Sequence, residues 1–170
     1  MSFGESVPWF MPGLLVSIGV GLVANRRLAA ALTVSRAHAT AGIWSLGMIV
    51  SATFSPLRQA IESGATSSGA CDLSRVALVS FAELMAVSQN DSLLNVVLFV
   101  PLGVVVGLAP RTTGKAACIV AAALLPFVIE STQLLVPALA RACESADVCD
   151  NSTGLALGLV AGSMLRRVGS

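Results

Sequence analysis

Apolar residues dominate five stretches of the chain, roughly residues 8–24, 38–54, 92–109, 116–137 and 148–165, separated by short polar connections and one long one. Each stretch approaches the twenty or so residues that an α-helix needs to cross a bilayer, and the pattern therefore predicts an all-α, polytopic transmembrane bundle of about five spans in a single domain over residues 1–170. No basic residue precedes the first run, and Arg26 and Arg27 follow it, so it reads as a retained span rather than a signal peptide. The long connection between the second and third runs is rich in Ser and Gly at residues 63–69. Beyond it, residues 72–88 place Leu73, Val76, Leu84 and Val87 along one side and Asp72, Arg75 and Glu83 along another, which predicts an interfacial or re-entrant helix over one mouth of the bundle.

Several spans carry small residues at helical spacing: Gly13, Ser17 and Gly21 in the first, Gly103 and Gly107 in the third, Gly154, Gly158 and Gly162 in the fifth. Stripes of this kind let helices approach closely inside a membrane. Pro101 and Pro126 interrupt the third and fourth spans and free the carbonyls of Val97 and Ala122.

Composition supports the membrane reading, with 55% hydrophobic residues, 11% charged residues and a mean hydropathy of +0.86 over 170 residues. The net charge of +1 conceals an asymmetry. Of ten Lys and Arg residues, Arg26, Arg27, Arg36, Arg111, Lys115, Arg166 and Arg167 fall on one side of an alternating five-span scheme, and only Arg58, Arg75 and Arg141 on the other. The first side is the cytoplasmic one by the positive-inside rule, giving a multi-pass protein with its N-terminus outside and its C-terminus inside. Glu5, Glu62, Asp72, Glu83, Asp91, Glu144, Asp147 and Asp150 all fall on the outer side, with Glu130 in the outward half of the fourth span. No basic stripe interleaves with aromatics, so nucleic-acid binding is not expected.

The candidate chemistry gathers at this outer face. Asp91 and Asn95 open the third span, Glu130 and Gln133 lie one turn beyond Pro126, Arg141 and Glu144 occupy the following loop, and a helix beginning near Asp147 would place Asp147, Asn151, Gly154, Gly158 and Gly162 on one face. A glutamate at the depth of Glu130 must be neutral, paired or wet. Arg141 has the planar fork to hold a carboxylate or a lipid phosphate, and the amides Asn95, Gln133 and Asn151 can each donate and accept. Of the four cysteines, Cys118 lies near the inner side, and Cys71, Cys143 and Cys149 toward the outer. Cys71 with Cys143 is the expected disulfide, since both sit in outer loops. A zinc site is not expected, because Cys143 and Cys149 match no common ligand spacing and the single histidine, His38, falls at the opposite face. No cofactor is expected either.

The run from Asn95 to Gly103 (NVVLFVPLG), then Glu130-Ser-Thr-Gln133, then Arg141, Glu144, Asp147, Asn151 and Gly154, in this order and spacing, resembles the VanZ-like family of bacterial membrane proteins. The match covers roughly residues 91–162; the position of Glu144 is usually Asp in the family. The resemblance implies a link to low-level resistance to the glycopeptide teicoplanin. Two functions from different classes fit these residues. One is a binding module that recognises a membrane lipid head group, a lipid-linked envelope precursor or a lipoglycopeptide antibiotic. The other is an intramembrane enzyme with Glu130 or Asp147 as acid or base, although no Ser or Cys nucleophile stands beside a base and no His lies at the outer face. A purely structural role, with the polar groups knitting the spans together, is the third reading.

Overall fold

A computed structural model of the protein describes residues 6–77, 91–110 and 113–168. It is mostly helical, with five helices of 18 to 24 residues among the described residues. These are α1 (Phe10–Leu32), α2 (Arg36–Thr53), α4 (Asp91–Leu108), α5 (Thr113–Leu135) and α6 (Ser145–Val168), with a short α3 (Arg58–Ser63) after α2. α1 and the Gly114–Leu135 part of α5 are long and apolar enough to cross a membrane, and Ser92–Leu108 forms a shorter apolar helix. Their outward faces carry large apolar side chains exposed to the surroundings, among them Leu15, Val16 and Val23 on α1, Leu124 and Phe127 on α5, and Val160 and Leu165 on α6. A protein in water does not keep so broad an apolar surface uncovered.

α4 and α6 form the centre of the bundle, side by side and parallel. Val96, Val100 and Val104 of α4 lie against Gly154, Gly158 and Gly162 of α6, and Gly103 and Gly107 in turn lie against Gly158 and Gly162. A Cβ built on Gly154 would stand 2.0 Å from the Val96 carbonyl oxygen, and one on Gly158 2.3 Å from that of Val100. The backbones therefore meet as only paired small-residue stripes allow. α1 and α2 pack antiparallel by the same device with mixed partners, Gly13 against Ser51 and Gly47 against Ser17. The serines have turned their hydroxyls back onto their own helices, Ser17 to the Leu14 carbonyl at 2.7 Å and Ser51 to that of Gly47 at 2.6 Å, which satisfies a polar group where no water is at hand.

Ile49 of α2, Phe99, Leu102 and Val106 of α4, Ala122 and Ile129 of α5, and Leu155 of α6 form the core between the pairs. α4 and α5 continue through Pro101 and Pro126. At one end of the bundle, α5 runs into a 3₁₀ turn at Pro137–Leu139, whose Leu139 and Pro137 carbonyls accept from the N–H groups of Leu57 and Ser67. The chain before α4 and the chain before α6 then pair as two-residue parallel strands, β1 (Cys71–Asp72) and β2 (Cys143–Glu144).

Residues 72–77 correct the sequence expectation of a helix over 72–88. Asp72 is in β1, and its carboxylate accepts from the Ser74 N–H at 2.8 Å, a side-chain turn that diverts the backbone from a helical start. The same donation from Ser74 holds the exposed Asp72 carboxyl below its usual range. The remainder of the expected interfacial helix, Glu83, Leu84 and Val87 included, lies outside the described residues.

Candidate functional site

The polar residues picked out by the sequence lie at the end of the bundle that carries the strand pair. Cys71 and Cys143 face each other in the register of that pair and are joined in a disulfide, tying the long connection to the segment that enters α6. The bridge closes a loop of 72 residues. Loop-closure entropy alone puts its contribution near 4 kcal/mol in a free chain, and a chain whose spans already confine it in a membrane loses less, about 2 kcal/mol. We therefore expect Cys71→Ala/Cys143→Ala protein to lose roughly that much in detergent unfolding midpoints, and a reductant to reproduce the loss in the parent alone.

Two polar groups form around this bridge. The first ties α5 and the loop to the last turn of α2, whose carbonyls have no intrahelical donors. Arg141 donates from Nε to the Ser55 carbonyl at 3.0 Å and from Nη2 to that of Ala52 at 2.6 Å, and Gln133 donates from Nε2 to the Thr53 carbonyl at 3.3 Å. Glu130, only 5% exposed, accepts the Glu144 N–H at 2.8 Å. In this contact Glu144 acts through its backbone, while its side chain is half-buried. Burial pulls the Arg141 guanidinium below its ordinary range, and the charges of Asp147 and Glu130 act the other way, so these three ionic groups share one neighbourhood.

The second group joins the chain after β1 to the first turns of α4 and α6. α6 begins at Ser145, two residues before Asp147. Asp150 is fully buried and pairs with Arg75, whose Nη2 stands 2.5 Å from Oδ2 and also reaches Ser92 Oγ at 3.3 Å and the Ala146 carbonyl at 3.4 Å. Ser145 returns the connection, its hydroxyl donating to the Arg75 carbonyl at 2.7 Å. Asn151 is 1% exposed, one turn before Gly154 on the face that meets α4. Asn95 is half-buried on α4, and Asp91 begins that helix, its side chain lying outside the described residues.

Sequence reasoning missed Arg75, Ser92 and Asp150. Asp150 adjoins Asn151, but a face counted from Asp147 in steps of four and three passes over it. Arg75 was visible as one of the three basic residues on the acidic side of the chain and on the polar side of the expected interfacial helix, but not as a partner of Asp150.

Besides Ser67 Oγ in the long connection, three side-chain oxygens at this end are buried without a hydrogen-bond partner among the described residues: Gln133 Oε1, Asp150 Oδ1 and Asn151 Oδ1. Each is an acceptor, and a buried acceptor left unmatched costs about 1 to 3 kcal/mol.

The family model VanZ/LLP1 matches residues 43–166, which takes in the second half of α2 and everything from there nearly to the end of α6. The chain belongs to the VanZ/LLP1 family. The matched stretch reaches well ahead of the residues that carry the resemblance and includes Arg75, both bridged cysteines and the α2 end that Arg141 and Gln133 cap. No curated relative and no solved structure matches the chain. Membership in VanZ/LLP1, a family associated with teicoplanin resistance, together with the two apolar helices of membrane-crossing length, makes this a membrane protein.

Proposed function

We propose that the disulfide end of the bundle is an outward-facing site that binds the polar part of an envelope lipid, a lipid-linked cell-wall intermediate or a lipoglycopeptide. The observation that carries this reading is the set of buried acceptors, Gln133 Oε1, Asp150 Oδ1 and Asn151 Oδ1, lacking donors among the described residues beside the carboxylates Glu130 and Asp147. Arg141 spends Nε on the Ser55 carbonyl just past α2 and Nη2 on that of Ala52, and Arg75 spends Nη2 on Asp150. What the site offers a ligand is thus weighted toward acceptors, which suits sugar hydroxyls, peptide amides or an ammonium better than a phosphate.

The placement that goes with it has five helices, α1, α2, α4, α5 and α6, crossing the membrane, with the N-terminus outside and the C-terminus in the cytoplasm. The distribution of Lys and Arg supports this orientation. So does the disulfide at the end assigned to the outside, where an oxidising environment preserves it.

Cells expressing the parent chain are expected to bind less fluorescently labelled teicoplanin at their surface than cells without it. Asp147→Asn, at matched membrane levels, is expected to weaken the effect about tenfold, the value of one hydrogen bond to a charged group. Equal reduction by parent and variant would remove Asp147 from the site, and no reduction by either would separate this chain from the family's resistance phenotype.

One observation favours a second reading, an enzyme acting on a lipid-linked substrate: Glu130 is a buried carboxyl that shares its surroundings with Asp147 and Arg141, an arrangement suited to an acid or base. Full activity of Glu130→Gln and Asp147→Asn membranes would eliminate it.

A further inference from the structure

A cavity of about 350 Å³ lies at the other end of the bundle, away from the disulfide, between the last turn of α1, α2, α4 and α5. Its lining is apolar along most of its length, from Leu28 and Leu32 at the rim to Leu46, Leu102 and Leu125 at depth, and two polar side chains, His38 and Lys115, stand at its mouth. Both belong to the first turns of their helices, α2 and α5. From His38 to Leu46 and from Lys115 to Leu125 the cavity follows eight and ten helical residues, about 12 to 15 Å at 1.5 Å per residue. That is about half of a 30 Å hydrocarbon core, the thickness of a single leaflet.

The mouth has a single sign of charge. No Asp or Glu occurs between Glu5 and Glu62, between Asp91 and Glu130, or after Asp150, so every segment that meets at this end is free of acids. The negative end of α4 is already covered: Lys115 Nζ donates to the carbonyls of Gly107 at 2.8 Å and Ala109 at 3.1 Å, and Arg166 donates to Ala109. With those carbonyls met, the N-terminal dipoles of α2 and α5 and the charges of Lys115 and Arg166 favour an anion at the mouth.

We infer that this cavity takes one acyl chain of an anionic membrane phospholipid, with the phosphate at the mouth beside Lys115 and His38. An apolar shaft as deep as a leaflet matches the chain, and its volume, at the low end for ligand sites, suits one chain rather than two. The cationic, acid-free mouth matches the head group. This site is separate from the disulfide end and does not depend on what binds there, nor on which side is cytoplasmic.

Cys118 lines the cavity and supplies the reporter. The full chain carrying Cys149→Ser, purified in neutral detergent, would be titrated with phosphatidylglycerol, phosphatidylcholine or oleate, with Cys118 alkylation by a small apolar maleimide and lipid retention by native mass spectrometry as readouts. Phosphatidylglycerol is expected to remain at one per chain and to slow alkylation at least tenfold, with phosphatidylcholine doing neither. Lys115→Gln, which keeps an N–H donor for the α4 carbonyls but no charge, is expected to lose about fivefold of the preference for phosphatidylglycerol, and Lys115→Arg to retain it. Equal retention of the two phospholipids, or Cys118 reacting unhindered with phosphatidylglycerol bound, would overturn the assignment. Retention of oleate in place of the phospholipid would overturn it in favour of a free fatty acid. The alkylation comparison needs no Lys115 variant, so it decides the matter even where Lys115→Gln does not fold.

Discussion

Gly154→Val is expected to eliminate the folded protein, leaving no monodisperse peak when membranes are solubilised and chromatographed. The pro-R or pro-S identity of the added methyls is immaterial, because the Cβ itself would stand 2.0 Å from the Val96 carbonyl oxygen and 2.8 Å from its carbon. Both are backbone atoms and cannot rotate away. Ordinary overpacking costs about 1 to 3 kcal/mol because side chains give way; here α4 itself must move off α6, which also parts Gly103 from Gly158 and Gly107 from Gly162. The damage would reach the polar end too, since Asn151 is one turn away on the same face and Ser92, at the matching level of α4, takes part in the Arg75 cluster. Gly19→Val provides the control. It lies on α1 with nothing within 4 Å of an added Cβ and is expected to leave the elution profile unchanged. A Gly154→Val protein that elutes and melts like the parent would show that the two helices do not meet along these stripes.

That interface also shows how far a single sequence reaches. Each glycine stripe was visible as a spacing of four, but a stripe names a face and not the face it meets. Only the fold shows Gly103 and Gly107 against Gly158 and Gly162, with Gly13 and Gly47 paired to serines instead. The outward polar residues were legible for a related reason: charges and amides beside apolar spans are costly, so Glu130, Gln133, Arg141 and Asn151 stood out. Their partners did not, because Arg141 and Gln133 bond to backbone carbonyls of α2 some 80 to 89 residues earlier, and a carbonyl has no signature in sequence. Residues 72–77 misled for a physical reason. Their apolar spacing suits a helix, but a disulfide and a strand pairing hold Cys71 extended, and Asp72 engages the Ser74 N–H. A pairing made across 72 residues overrides a local preference worth tenths of a kcal/mol per residue.

Arg75→Gln is expected to destabilise the protein by about 3 kcal/mol, and the double variant Arg75→Gln/Asp150→Asn to recover most of that loss. Asp150 is fully buried and is held by the Arg75 guanidinium at 2.5 Å, while the arginine side chain keeps 31% of its surface exposed. Removing one member of a buried ion pair costs about 3 to 5 kcal/mol because the other is left as an uncompensated charge. The exposed side of Arg75 places this case at the low end, since water reaches part of the pair. Removing the second charge takes away the desolvation penalty that the single variant exposes, so the two effects are far from additive. The double-mutant cycle in a fixed detergent, read by thermal unfolding, separates this from simple loss of packing: additive effects would mean that Arg75 stabilises through its aliphatic stem and its bond to Ser92 rather than through Asp150. The same cycle bears on the proposed site. Asp150 Oδ1 has no hydrogen-bond partner among the described residues although Oδ2 is held, so Arg75 fixes the orientation in which that second oxygen is presented. If ligand binding uses it, Arg75→Gln lowers affinity as well as stability, and Asp150→Asn, which keeps the carbonyl oxygen but not the charge, restores the stability without restoring the affinity.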